Sequence, residues 1–475
     1  MNTPSPDQIA DNPELMLTMS NDELFAIEWP DVKAMQLKAI QSRFDDMRGR
    51  IKMLTSLADD LGIKQITKAE DITPLCFPHT VYKSYSMSYI EKGRYDRLNS
   101  WLQGLTTHNI EGIDTSSCDS LESWLSLLEQ NTDMRPQGSS GTTGKCSFFP
   151  RGTAEEKFRF ENYLKVNESF RDEPGSTLRS GDIDFFSPWP VATGRHNIPG
   201  MFNTLRKWIY HDKENPAAHV HTLGKGHWDL DLIWLSARIT AAQARGETLK
   251  MTPVMQRLRE RLQEEQKAAP GEDQVERFIH ELMVDFADKP VFLFAPFQML
   301  IPLAQECAKR GYKGLHPDSY ILGGGKSGSK GIEFPDDWRE QCEAVFPPPY
   351  QEIYGMTEST SIARLCSAGQ FHMPPTIALF QLDPDTSAPL ERTGTQTGRL
   401  ALFDLLPTSY WGGMITGDRI TINWDGGCSC GRKGPYIDDD IVRYSNLRDD
   451  DKITCSKSPD AYEKAVELTL GAMFD

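Results

Sequence analysis

A run of small, hydroxylated and cationic residues between positions 139 and 145 has the composition of a phosphate-binding loop. Its glycines let the backbone turn several N–H groups toward one point, and its hydroxyls and lysine add donors and positive charge. The run is not a Walker loop, because Gly138 lies one residue too far from Gly144 and Cys146 stands where a magnesium-binding hydroxyl is required. A flexible Gly/Ser linker is the alternative. The candidate phosphate-binding residues are Ser139, Ser140, Gly141, Thr142, Thr143, Gly144 and Lys145.

A second glycine-rich segment, which contains Gly323, Gly324 and Gly325, follows an apparent strand that begins at Tyr320. Its spacing satisfies the dinucleotide fingerprint, but the helix that should follow directly is delayed to about Asp336. The segment therefore favours a glycine loop that lies against a nucleotide base.

A third segment, Tyr354 to Glu358, combines an aromatic ring, a glycine and two oxygen ligands. Gly355 lets the turn pass close to a ligand, Tyr354 can stack on a base, Thr357 can hold a phosphate oxygen, and Glu358 can hold a magnesium ion. Further along, Asp418 can accept both hydroxyls of a ribose. A plain turn aspartate is the alternative interpretation of Asp418.

Composition limits the classes of partner and of compartment. The chain has 475 residues, with 51 Lys and Arg against 68 Asp and Glu, which gives a net charge of −17. Such a balance does not favour nucleic acid or an anionic membrane surface as partner. The N-terminus has neither the basic region nor the apolar region of a signal peptide, and no apolar run is long enough to span a bilayer. The nine cysteines fit reduced thiols in the cytoplasm, where we expect this protein.

The elements that must position these residues follow an α/β pattern. Residues 1 to about 15 are expected to be disordered or loosely attached, and a helical region of the large domain is predicted over 1–134. Short apolar runs alternate with helical stretches in an α/β nucleotide-binding core over 135–370. Alternation and turn signals predict a β-rich subdomain over 371–447, and 448–475 is left as a hinge and a vestigial C-terminal segment.

Taken together, these motifs resemble the adenylate-forming superfamily of acyl-CoA synthetases, peptide-synthetase adenylation domains and firefly-type luciferases. The resemblance is carried by 139–145, by 354–358, by Thr416-Gly-Asp418 and by a looser hinge-like motif from Arg448 to Ile453. It implies the large N-terminal domain of that fold, with mixed sheets packed with helices, a small β-rich subdomain and a truncated C-terminal domain.

The resemblance also implies a reaction and roles. ATP and a small carboxylic acid form an acyl-adenylate and pyrophosphate, and the acyl group then passes to a thiol or amine. Lys145 and the loop before it would hold the β- and γ-phosphates, Glu358 the Mg²⁺, and Thr357 the α-phosphate. Tyr354 and the glycines from Gly323 to Gly325 would flank adenine, with Gly355 beside them. Asp418 would bind ribose, and Arg448 belongs to the implied hinge.

Within that superfamily the chain looks most like the acyl-protein synthetase branch of the bioluminescence fatty-acid reductase system, with phenylacetate-CoA ligases as neighbours. The segments that suggest this include 82–85, 430–435 and 450–455. In that branch a cysteine near the C-terminus receives the acyl group, which makes Cys455 the candidate here. An inert, packed Cys455 is the alternative. CoA, a carrier protein or an amine remains open as acceptor, and so does a nucleotide-binding regulatory or scaffold protein without turnover.

Cys428 and Cys430 suggest a metal site. A Cys-x-Cys pair without a second pair at metal-ligand spacing is a weak zinc pattern, so the sequence leaves metal binding at these residues undecided.

Overall fold

The computed structural model describes residues 4–139, 145–168, 178–244, 246–267, 272–324, 335–346 and 350–447. None of the helices within these ranges is both long and apolar enough to cross a lipid bilayer. The α-helices are α1 (Pro6–Asp11), α2 (Asn21–Phe25), α3 (Trp29–Met47), α4 (Lys52–Asp60), α5 (Met87–Glu91), α6 (Tyr95–Gln103), α7 (Leu121–Asn131), α8 (Thr153–Glu168), α9 (Asn197–Trp208), α10 (Leu230–Ala244), α11 (Pro253–Lys267), α12 (Glu272–His280), α13 (Phe297–Lys309), α14 (Trp338–Val345) and α15 (Tyr444–Leu447).

Shorter helical turns and the strands connect these helices. The 3-10 helices are Pro13–Thr18, Ala69–Asp71, Thr73–Leu75, His79–Lys83, Leu178–Ser180 and Pro216–His219, and a π-helical turn spans Glu281–Asp285. The strands are β1 (Phe77–Pro78), β2 (Gln137–Gly138), β3 (Phe148–Phe149), β4 (Asp184–Ser187), β5 (Val191–Gly194), β6 (Val220–Thr222), β7 (Gly226–Trp228), β8 (Val291–Pro296), β9 (Tyr320–Gly324), β10 (Tyr350–Gly355), β11 (Ile362–Arg364), β12 (Ile377–Leu382), β13 (Thr395–Asp404), β14 (Gly413–Asn423), β15 (Tyr436–Ile437) and β16 (Val442–Arg443).

A mainly parallel sheet forms the α/β part of the molecule. Its strand order is β11-β10-β9-β8-β4-β6, and only β11 runs antiparallel to its neighbour. Helices cover both faces: Phe185 and Phe292 pack with α8 and α9, while Phe186 and Leu293 pack with α12, α13 and α14. Adjacent residues of one strand thus lie in different cores, as expected for a parallel sheet buried on both sides. The predicted α/β class is confirmed.

A second sheet is formed by strands after position 370 together with β1. Its order is β1-β14-β13-β12, and β15 and β16 both pair with β14. Tyr354 of β10 is buried in a core with residues of β12, β13, β14 and β15, including Ile420 and Ile437. The end of β10 therefore lies at the junction of the two sheets.

Residues 4–15 are ordered, which corrects the expectation of a loosely attached segment over this range. Ser5 and Gln8 form a capping box at the start of α1, and Ile9 and Ala10 are buried in the same core as α3. A capping box satisfies backbone donors that an isolated short helix leaves unpaired. The two apolar residues supply the tertiary contact that so short a helix requires.

Candidate active site

The β2–β3 hairpin holds both ends of the predicted phosphate loop. Gln137 pairs with Phe149 and Gly138 with Phe148. Below the loop, the Ser139 N–H donates to the Ser147 carbonyl at 3.1 Å, and the Ser147 N–H donates to the Ser139 hydroxyl at 2.9 Å. Ser140, Gly141, Thr142, Thr143 and Gly144 lie outside the described residues. The two strands that flank this loop form a sheet of their own, separate from the mainly parallel sheet.

Aromatic packing fixes the base of this hairpin to the N-terminal helices. Phe148 lies 5.4 Å from Tyr85, 6.4 Å from Trp101 and 5.6 Å from Trp124, measured between ring centroids. Cys146, next to Lys145, is fully buried. A buried thiol cannot serve as the missing magnesium ligand of a Walker loop. The loop therefore differs from a Walker loop in its structure as well as in its sequence.

Lys145 lies close enough to a second lysine, Lys83, for the two charges to interact. Its ammonium group donates to the Tyr85 carbonyl and lies 4.5 Å from the centroid of the Tyr85 ring. Burial, together with the positive charge of Lys83, lowers the pKa of Lys145 to about 8. Two cations held close together favour the binding of a polyanion, because its negative charge offsets their mutual repulsion.

The segment from Thr357 to Ser361 is held in a tight turn after β10. Arg151 donates to the Thr357 carbonyl, and its guanidinium also reaches the Ser359 carbonyl at 3.4 Å. The buried Asp404 accepts the Thr360 N–H at 2.6 Å and the Thr360 hydroxyl at 2.8 Å. These bonds position Glu358 through its neighbours.

Glu358 is partly accessible to solvent although protein groups surround it. Desolvation raises the pKa of its carboxyl, and the negative charge of Asp418 acts in the same direction, while Arg443 and Arg151 oppose both. Lys83 is an electrostatic neighbour of Glu358 as well as of Lys145. The sequence-predicted phosphate lysine and metal-binding glutamate therefore face the same part of the molecule.

Asp418 lies inside strand β14, not on a turn, which removes the plain turn aspartate as an interpretation. It is 2% exposed and accepts a hydrogen bond from the Tyr354 hydroxyl at 2.8 Å. Arg443, its register partner on β16, places Nε 3.1 Å from Asp418 Oδ1. The negative charge of Asp418 raises the pKa of Arg443. A hydrogen bond from Tyr354 to Asp418 and an ion pair between Asp418 and Arg443 thus link these three residues across the two sheets.

The glycines at the ends of β9 and β10 allow the strands to approach closely. Gly323 and Gly324 pair with the residues of β10 just before Tyr354. A Cβ at Gly324 would lie 2.8 Å from Ile353 Cγ1, and one at Gly355 would clash with Ile362 Cγ2. These two glycines are therefore required for packing, whatever ligand they face. Gly325 lies outside the described residues.

Sequence reasoning missed three cations of this region, Lys83, Arg151 and Arg443. They come from distant parts of the chain and share no spacing with the predicted motifs. Arg448 and Cys455 lie outside the described residues, so the predicted hinge and relay thiol remain predictions.

No family model matches the chain, and no curated protein sequence matches it. Several solved structures are similar. ATP-bound MatB from Rhodopseudomonas palustris is 13% identical, with 65% of this chain and 47% of that chain covered and a TM-score of 0.34. The long-chain-fatty-acid-CoA ligase FadD1 from Archaeoglobus fulgidus is 11% identical, with 65% and 52% covered and a TM-score of 0.35.

The o-succinylbenzoate CoA synthetase MenE from Bacillus subtilis is also similar, at 12% identity, with 66% of this chain and 52% of that chain covered and a TM-score of 0.32. This chain thus spans about half the length of the structures it matches. Because these TM-scores lie below 0.5, we draw the function from the residues of this chain.

Proposed function

We propose that this protein is an ATP-dependent, AMP-forming ligase that activates a carboxylic acid as an acyl-adenylate and passes the acyl group to a thiol. The observation that carries the proposal is that Lys145, Glu358 and the Tyr354–Asp418 pair lie close enough for their charges to interact, directly or through Lys83, and that the pair itself lies at the junction of two sheets. These residues come from three separate motifs of the sequence, 139–145, 354–358 and 416–418. Their types suit a phosphate, a metal ion, a base and a ribose, respectively.

The charges suit departure of pyrophosphate. In the proposed reaction a carboxylate oxygen attacks the α-phosphorus of ATP, the bond to the bridging oxygen breaks, and pyrophosphate leaves with its electron pair. Lys145 and Lys83 can offset the negative charge that builds up on the leaving group. The second step is attack of a thiolate on the acyl carbonyl carbon, which releases AMP.

Glu358 fits a magnesium ion. Its carboxylate is partly accessible, and both desolvation and Asp418 disfavour its charged form, so a cation would stabilise it. When bound, Mg²⁺ would neutralise charge on the phosphates. Asp418 would hold the ribose hydroxyls, and Thr357 would contact the α-phosphate. The ring of Tyr354, anchored at its hydroxyl by Asp418, is assigned to the adenine side of the site.

Incorporation of labelled pyrophosphate into ATP, measured with a panel of carboxylic acids, tests the proposal. Exchange that depends on one acid supports an acid-activating enzyme. ATP binding without exchange for any acid would favour the regulatory or scaffold alternative. A co-purified acyl-adenylate would identify the acid from its acyl half.

The relay thiol gives a separate prediction. Replacing Cys455 with serine should leave acid-dependent pyrophosphate exchange unchanged but abolish acyl labelling of the protein that hydroxylamine removes, because serine is a poor acyl acceptor in place of a thiolate. The matched control is Cys118→Ser, which changes a partly exposed thiol on the N-terminal region. Labelling that persists in Cys455→Ser would exclude the relay and leave CoA, a carrier protein or an amine as direct acceptor.

The lysine pair predicts how ATP binding depends on pH. Because the pKa of Lys145 is about 8, its charge is present below pH 8 and is lost above it. The dissociation constant for ATP should therefore rise by up to about tenfold per pH unit above pH 8, as measured by calorimetry. Lys83→Met removes the charge that helps to lower this pKa, so the rise should begin at a higher pH. An affinity that is independent of pH, with no shift in Lys83→Met, would contradict the assignment of Lys145.

A further inference from the structure

Four metal-ligating side chains that are not used by the proposed nucleotide site lie close together. Cys366, His372, Cys428 and Cys430 bring three sulfurs and one imidazole nitrogen within 4.8 Å of one another. We propose that these residues bind one Zn²⁺ ion in a closed, tetrahedral Cys₃His site with a structural role.

The distances between the side chains fit such a site. The sulfurs of Cys366 and Cys428 are 3.8 Å apart, and Cys430 Sγ lies 3.4 Å from His372 Nε2. A zinc ion bound tetrahedrally at about 2.3 Å from sulfur requires sulfurs about 3.8 Å apart, and slightly less between sulfur and nitrogen. The observed separations leave room for the ion without a change of backbone. They are also too long for a disulfide bond between Cys366 and Cys428.

Two tight turns present the ligands. In the first, the Cys366 N–H donates to the Gln370 carbonyl at 2.8 Å, and Gly369 adopts φ +73°. In the second, the Gly431 N–H donates to the Cys428 carbonyl at 3.1 Å, and Gly431 adopts φ +83°. Such turns point closely spaced side chains at one centre, with glycine taking the left-handed position.

The surroundings suit a bound ion of this kind. His372 is 2% exposed, and Cys366 and Cys428 are each 9% exposed. Three thiolates around Zn²⁺ carry a net charge of −1, and Arg364 and Arg432 line the same cleft as Cys366 and Cys430. Sulfur-rich tetrahedral sites select zinc over magnesium or calcium, and four protein ligands leave no open position for a substrate.

The site would join the two sheets beside the nucleotide residues. Cys366 follows β11, the partner of the strand that carries Tyr354, and His372 follows Phe371, which bridges to Ile437 of β15. Cys428 and Cys430 lie in the connection from β14, the strand of Asp418, to β15. Zinc would hold these connections together and release protons from the cysteines on binding.

Elemental analysis of the full chain, purified without chelator, tests the site. We expect about one zinc per chain, and at least a tenfold loss in Cys430→Ser and His372→Ala. The matched control Cys307→Ser changes a buried thiol of α13 and should keep its zinc. Because a ligand variant can misfold, wild-type protein is also refolded with Co²⁺, which should give the visible absorption of a tetrahedral thiolate site.

Three results would overturn the proposal. The first is wild-type protein that takes up no stoichiometric zinc or cobalt even with excess metal. The second is zinc retained in both ligand variants at the level of Cys307→Ser. A Cys366–Cys428 disulfide in the unreduced protein would likewise exclude the site, since it consumes two of the four ligands. These readouts do not depend on ATP or on any acid, so they stand apart from the proposed activity.

Discussion

Replacing Glu358 with glutamine is expected to lower acid-dependent ATP–pyrophosphate exchange by about 10²- to 10³-fold. The substitution keeps the shape of the side chain but removes the charge that would hold Mg²⁺ on the departing phosphates. The turn that carries Glu358 is fixed by Arg151 and Asp404 through backbone groups, so it should keep its conformation. Lys145→Met should lower exchange to a comparable extent, because methionine keeps the packing on Tyr85 without the ammonium group.

Two controls of the same chemistry separate this result from a general effect of lost charge. Glu340→Gln on α14 and Lys313→Met lie at exposed positions and should keep wild-type exchange. A Glu358→Gln variant that folds normally and exchanges at the wild-type rate would rule out Glu358 as the metal-binding residue.

Replacing Asp418 with asparagine should impair both stability and nucleotide binding. Asparagine leaves Arg443 without its carboxylate partner, and we expect the free energy of unfolding to fall by about 1–3 kcal/mol. Asparagine replaces one of the two acceptor oxygens of the carboxylate with a donor NH2 group and removes the charge, so affinity for ATP should fall about tenfold or more. Denaturant unfolding and calorimetric titration at a temperature where the variant is folded measure the two effects separately.

Tyr354→Phe is the matched control for this group. It removes the hydrogen bond to Asp418 but keeps the ring and the charge pair with Arg443. We expect a smaller loss of affinity for ATP than in Asp418→Asn. If Asp418→Asn lowers stability but binds ATP as the wild type does, Asp418 has only a structural role and its assignment to the ribose fails.

Local pattern was enough to predict the α/β part of the fold. Short apolar runs that alternate with helical stretches predicted an α/β core, and the apolar run from Val291 forms β8 and α13 of that core. Such elements are encoded by consecutive residues, so one sequence suffices. The N-terminal helix α1 was missed because its stability comes from a capping box and from contacts with the distant α3.

The candidate site was predictable only in its motif-bearing parts. Lys145, Tyr354 and Glu358 stand in short segments whose composition indicates their chemistry. Arg443 was not predictable, because its pairing with Asp418 depends on the register of β16 against β14. Asp418 was expected on a turn, since Thr-Gly-Asp is a turn-like sequence, yet β14 continues through it.

The cysteine cluster shows the same limit. Cys366 is 62 residues from Cys428, and His372 is 58 residues from Cys430. No fixed spacing links such ligands, so the Cys-x-Cys pair looked incomplete in the sequence. Pairing of Phe371 with Ile437 brings the two turns together.

Transfer of oxygen from the acid to AMP tests the central claim most directly. The wild-type protein is incubated with ATP, an acceptor thiol and an oxygen-18-labelled carboxylic acid that supports exchange, and the AMP is analysed by mass spectrometry. Attack of the carboxylate on the α-phosphorus followed by acyl transfer leaves one labelled oxygen on AMP, which is the result we predict. Unlabelled AMP, or ADP and phosphate as products, would contradict an acyl-adenylate mechanism.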